Sequence, residues 1–158
     1  MAIASASRLV IGIGNNFRND DQVGLNLARR IEQKHIPDVE IVAESKEILS
    51  LIERWNERKC VYVCDAVKSG SPVGTIFRFD ILSGNLKNSL SHFSSHSFGI
   101  SEVVALAKQL NQLPQKLLFY GIEGANYDYG NELTPKVKNA EDVVFAELYK
   151  LLLDETEV

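Results

Sequence analysis

Asp20 and Asp21 stand side by side in the stretch GIGNNFRNDDQVG, where the apolar run Arg8–Ile13 gives way to a helical pattern. A third acid, Asp65, closes the apolar run Cys60–Cys64, and His96 directly precedes another helical pattern. Carboxylate oxygens and an imidazole nitrogen are a reasonable donor set for a divalent ion such as Zn, Ni or Mn, and two carboxylates nearly neutralise its charge. With three protein donors, positions stay open for water or a substrate ligand, the arrangement of a working site more than of a structural one.

Whether these groups meet depends on the elements that carry them. Five short apolar runs read as strands: Arg8–Ile13, Val39–Ala43, Cys60–Cys64, Thr75–Phe79 and Lys116–Ile122. Four helical patterns alternate with them. The first runs from about Asp20 to His35, with Val23, Leu27, Ala28 and Ile31 on one face. The second, about Lys46 to Glu57, buries Ile48, Leu51, Ile52 and Trp55, and the third, about Ser97 to Leu113, buries Ile100, Val103, Val104, Ala107 and Leu110. The last opens at Thr134, a good N-cap, and Pro135, a good first residue, with a stripe of Val137, Ala140, Val144, Leu148, Leu151 and Leu152.

Strand–helix alternation of this kind predicts an α/β domain, a parallel sheet covered on both faces. KSGSPVGT, joining the third and fourth strands, is too short for a helical crossover, so the fourth strand is expected to run antiparallel at an edge. Ligands of an open parallel sheet collect beyond the carboxyl ends of the strands. The first-turn acids and Asp65 belong to that edge, and the third helix must descend to feed the final strand, which puts His96 there too.

Each residue also has a plainer explanation. Asn19 or Asp20 fits an N-cap, and acids in a first turn favour the helix dipole. Asp21 stays open between that role and a ligand's, and Asp65 between a ligand and an acceptor for backbone amides. His35 and His92 read as surface residues or residues with ordinary hydrogen-bond partners; HFSSH has a chelating i, i+4 spacing only on a helix, which its serines disfavour. Cys60 and Cys64 lie on one strand, roughly 13 Å apart, too far for a mutual disulfide, and the carboxylate of Asp65 would blunt the Cys64 thiol.

Gly12 and Gly14 imitate a dinucleotide fingerprint, but Phe17 stands where its third glycine is needed and Glu44 is the nearest approach to a ribose-binding acid. The opening also resembles peptidyl-tRNA hydrolases, yet NDDQ replaces their histidine. A formal charge of −4 on 158 residues, without basic runs, gives no footprint for nucleic acid or an anionic membrane. Neither a membrane-length apolar stretch nor a signal-peptide core is present, so a cytoplasmic single domain over 1–158 is expected, with 1–7 and the acidic tail 154–158 frayed.

GIGNNFRNDDQVG, VCDAVKSGSPVGT, SSHSFGISEVVALA and FYGIEGANYDYGNELTPKV, in that order, resemble the nickel–iron hydrogenase maturation endopeptidases from about Arg8 to Leu153. The resemblance implies a three-layer α/β/α sandwich around a twisted five-stranded, mostly parallel sheet with one antiparallel strand. It implies an endopeptidase of the aspartic type that cuts a C-terminal extension from a hydrogenase large-subunit precursor once nickel is inserted. The nickel would arrive with the substrate and be sensed by Asp21, Asp65 and His96, a site that Zn, Mn or Cd could also occupy. Gly12, Gly14 and Asn15 would shape the turn or touch substrate. Gln22 replaces a usually small residue and would narrow the entrance, and Glu44–Lys46 replace a glycine-rich loop. A monomer is expected. A non-catalytic nickel checkpoint and a nucleotide-binding module are the competing readings.

Overall fold

The computed structural model describes residues 6–43, 48–83 and 100–156. Strands β1 (Arg8–Gly12), β2 (Val39–Ala43), β3 (Cys60–Val67), β4 (Ile76–Asp80) and β5 (Leu117–Glu123) form one sheet in the order β2-β1-β3-β5-β4. All neighbours pair in parallel except β4, which runs antiparallel to β5 at the edge. The antiparallel edge strand is therefore as expected. Its neighbour is the last strand, which inserts between β3 and β4.

Apolar residues on alternate positions of the strands feed two cores. Leu9, Ile11, Val61, Val63 and Phe119 face helices α2 (Ile48–Trp55) and α3 (Ile100–Gln109), which contribute Leu51, Trp55, Ile100 and Val103. Val10, Tyr62, Cys64, Tyr120 and Ile122 face helices α1 (Val23–Glu32) and α4 (Pro135–Thr156), which contribute Leu27, Ile31, Val144 and Leu148. Two helices on each side make the three layers, and strands buried on both faces explain why their sequences are almost continuously apolar.

Several boundaries differ from the sequence reading for physical reasons. The first helical segment starts as a 3-10 turn, Asn19–Gln22, before α1. Its four residues are all buried, so their polar side chains must find partners inside the protein. β3 continues through Asp65 to Val67, because β5 supplies ladder partners for every added residue: Asp65 pairs with Gly121, Ala66 with Ile122 and Val67 with Glu123. Asp65 thus lies within the strand and does not close it. Leu110 is exposed, since α3 ends at Gln109 and Asn111 takes a left-handed φ of 56°, turning the chain away.

The acidic tail read as frayed is helical to Thr156. Tyr62 donates its hydroxyl to both Glu155 carboxylate oxygens at 2.9 Å, and Arg8 Nη1 donates to Leu152 O at 2.7 Å. At the other end Ser7 N donates to Asp38 Oδ1 at 2.8 Å, so residue 7 is held as well. No helix among the described residues is long and apolar enough to cross a membrane.

Candidate functional site

From β1 the chain crosses to β2 on one side, and from β3 it goes to the edge strand β4 and returns as β5 on the other. The gap between β1 and β3 is therefore the sheet's switch point, where a crevice opens at the carboxyl edge. Asp21 comes from the turn that follows β1, and Asp65 from the upper part of β3. Asp21 is 0% and Asp65 1% exposed, so both carboxylates flank the switch point out of bulk water.

Small residues bring the turn down onto the strands. A Cβ on Gly12 would stand 2.4 Å from Gly24 O and 2.6 Å from Ala28 Cβ, and one on Gly24 would stand 2.3 Å from Cys64 O. Gly14 has a φ of +151°, and a Cβ there would be 2.0 Å from Asp21 O. These glycines are spent on close approach of α1 and the 3-10 turn to β1 and β3. Ile13 N donates to Cys64 O at 2.9 Å, extending the β1–β3 contact to the residue before Asp65. Asn15 Nδ2 donates to Asp21 Oδ2 at 2.8 Å, and Ala66 N donates to Asp65 Oδ1 at 2.8 Å.

Asp20, the other member of the pair, does something different. Its Oδ2 accepts from Ala125 N at 2.8 Å, Asn126 N at 2.9 Å and Thr134 Oγ1 at 2.7 Å, and its Oδ1 from Thr134 N at 2.7 Å. It is a clamp on the segment 124–134 between β5 and α4, and not a cap for α1. Asn19 joins it, donating to Asp128 O at 2.9 Å and accepting from Glu132 N at 3.1 Å. Gln22 Nε2 faces Gly130 O at 3.4 Å and Asn19 O at 3.3 Å, so this amide ties the same segment down. The clamp escaped the sequence reading because its partners lie more than a hundred residues downstream; four consecutive polar residues at a buried helix start were the one available signal.

His96, the third expected ligand, lies outside the described residues, as do His92, Glu44, Ser45 and Lys46. Among the described residues no three His, Cys, Asp or Glu side chains converge as a metal-binding group. α3 begins at Ile100 and precedes β5, which is parallel to β3, so its N-terminus belongs to the carboxyl edge. Cys64 is fully buried, and burial together with the Asp65 charge pushes its thiol up to about 12. It is inert at neutral pH.

Fold and crevice together define an α/β protein of the three-layer type with two buried carboxylates at the switch point of its sheet. The chain belongs to the hydrogenase maturation protease family, whose description matches residues 22–151. It is similar to the hydrogenase 2 maturation protease of Escherichia coli strain K12, 28% identical over 136 residues that make up 82% of this chain and 80% of that one. A hydrogenase expression/formation protein HupD from Thiocapsa roseopersicina is 29% identical over 133 residues, 82% of this chain; the match spans 60% of that longer protein. Among solved structures, the E. coli hydrogenase maturating endopeptidase HybD superposes with a TM-score of 0.78 at 21% identity, covering 94% of this chain and 93% of that one. The NiFe hydrogenase maturation protease HybD from Thermococcus kodakarensis gives 0.71 at 24% identity, covering 92% and 98%. At these identities the superpositions speak for the shared fold.

Proposed function

We propose that this protein is an endopeptidase that removes the C-terminal extension of a nickel–iron hydrogenase large-subunit precursor, with precursor-borne nickel as the recognition element. The observation that carries the reading is the pair of buried carboxylates, Asp21 and Asp65, at the switch point of a chain in the maturation protease family. Carboxylate oxygens at the carboxyl edge of the sheet favour a cationic group. A metal ion presented by a partner protein is such a group. His96, four residues ahead of α3, is the third ligand in this reading.

Cleavage adds water across a peptide bond. Asp21 and Asp65 are the bases available to accept the proton that water loses, and the departing amine takes up a proton in turn. The inert Cys64 leaves no thiol nucleophile among the described residues of the crevice, which favours direct attack by water over an acyl-enzyme route. Asn15 acts through Asp21, holding one of its carboxylate oxygens by the 2.8 Å hydrogen bond.

The test is to mix the purified protein with large-subunit precursors, nickel-loaded or nickel-free, and to weigh the products by mass spectrometry. Loss of a C-terminal peptide is expected only with nickel, and only with Asp21, Asp65 and His96 intact. Unchanged cleavage by Asp21→Asn, Asp65→Asn and His96→Ala would sink this assignment. Nickel-dependent complex formation without any cut would convert the protein into a checkpoint.

A further inference from the structure

Among the described residues the two most exposed large hydrophobic side chains, Phe17 at 67% and Tyr129 at 79%, come from segments far apart in sequence. They are brought to one place by a single backbone bridge. Arg18 and Gly130 pair in parallel, and Gly130 N donates to Phe17 O at 2.8 Å, so the residues on either side of the bridge are neighbours. The Arg18 guanidinium lies over the Tyr129 ring, 4.0 Å from its centroid.

Phe17 has a φ of 68°, a conformation that a bulky residue rarely takes and that glycine or asparagine would adopt more cheaply. An aromatic ring is thus kept facing water on a backbone that disfavours it. The patch is also rigid. Asn19, Asp20 and Gln22 bind the 124–134 segment from within the same turn, so little ordering remains to be done when something lands on it. It is continuous with the candidate site, since Asp21 lies four residues after Phe17 and is hydrogen-bonded to Asn15, two residues before it.

We infer that Phe17, Arg18 and Tyr129 form a docking platform for the substrate polypeptide beside the bond to be cut, and that they set which precursor is accepted. The inference rests on the protease reading. Its occupant is a segment of the precursor with an apolar side chain that covers the Phe17 ring and a carboxylate that meets Arg18. The guanidinium presents five N–H donors in a fork matched to a carboxylate, and stacking on Tyr129 fixes the plane in which they point. Arg29, whose Nη1 donates to Asn16 Oδ1 at 3.0 Å, adds a second cation beside the same turn. With Asp128 and Glu132 also exposed on the facing segment, it is the Arg18 fork that selects a carboxylate in the bound segment.

The experiment is steady-state cleavage of a nickel-loaded precursor by the full chain carrying Phe17→Ala, Phe17→Leu, Arg18→Glu or Tyr129→Ala, with melting temperatures measured alongside. KM is expected to rise about tenfold for Phe17→Ala and Arg18→Glu, with kcat within about twofold of the parent. Phe17→Leu should recover most of the lost affinity, and none of the variants should melt appreciably earlier. A second arm replaces the acidic residues next to the scissile bond of the precursor; these changes should raise KM for the parent and have little further effect on Arg18→Glu. Unchanged KM in all variants, with the parent active, would overturn the platform and leave the protease reading standing. A fall in kcat at constant KM would also overturn it. A parent that cuts no precursor removes both.

Discussion

Replacing Asp20 with Asn should unfold the protein earlier, while the same change at Asp21 should not. Asp20 is 0% exposed and takes three hydrogen bonds on Oδ2 and one on Oδ1. Its favourable orientation as an amide keeps the oxygen where Ala125 N, Asn126 N and the Thr134 hydroxyl converge. The NH2 group then faces Thr134 N, donor against donor. One buried N–H left without an acceptor costs about 1–3 kcal/mol, and the remaining bonds lose their charge assistance, so the total is about 3 kcal/mol. For a domain of this size that corresponds to a drop in Tm of roughly 6–12 °C. Asp21→Asn keeps an oxygen to accept from Asn15 and removes a buried charge, so its Tm should stay within about 2 °C of the parent or rise. Circular dichroism melts and urea midpoints at constant m-value would measure both. An Asp20→Asn variant melting within about 2 °C of the parent, or an Asp21→Asn variant falling as far, would refute the division of labour between the two acids.

Gly14→Ala should cost on the order of 3 kcal/mol or prevent accumulation of folded protein, since the new Cβ would meet Asp21 O at 2.0 Å on a backbone with φ +151°; urea titration checks this. Cys60 and Cys64 should resist iodoacetamide in the native state at pH 8 and react only in denaturant, because burial raises both thiols, Cys64 to about 12. Hydrogen bonds from the Ser7 side chain and then the Ser7 backbone hold the Asp38 carboxyl below its ordinary value of 3.8. A depressed carboxylate stabilises the fold above its unfolded pKa and loses that contribution as pH falls through the folded one. Ser7→Ala should therefore lower Tm slightly at pH 7, on the order of 1–2 °C, and the difference should vanish on acidification below the usual carboxylate range.

The layers were legible in the sequence because they depend on local periodicity. The stripe of Val137, Ala140, Val144, Leu148 and Leu152 on α4, for example, is buried as its spacing requires, with Leu151 half-buried at its border. What lay beyond local pattern came from long-range pairing. Asp65 looked like the end of an apolar run, yet the strand continues because Gly121 and its neighbours on β5 are there to pair with it. Leu110 fits the helical period of α3 but falls past the left-handed exit at Asn111. Asp21 and Asp65 could be placed on one sheet edge from element order alone. The difference between Asp20 and Asp21 could not, because it depends on partners in 125–134.

The clamp also fixes when a competent crevice can exist. Asp20 is bonded to groups 105 to 114 residues later in the chain, so the turn that carries Asp21 is fastened only after β5 and the start of α4 are in place. During synthesis, a ribosome that has just completed β3 has already made both Asp21 and Asp65, yet the clamp that fastens the turn carrying Asp21 has no partners to bind. Closing so long a loop is entropically slow and comes with the final cooperative step of folding. A truncated or half-made chain would therefore have the acids without the geometry.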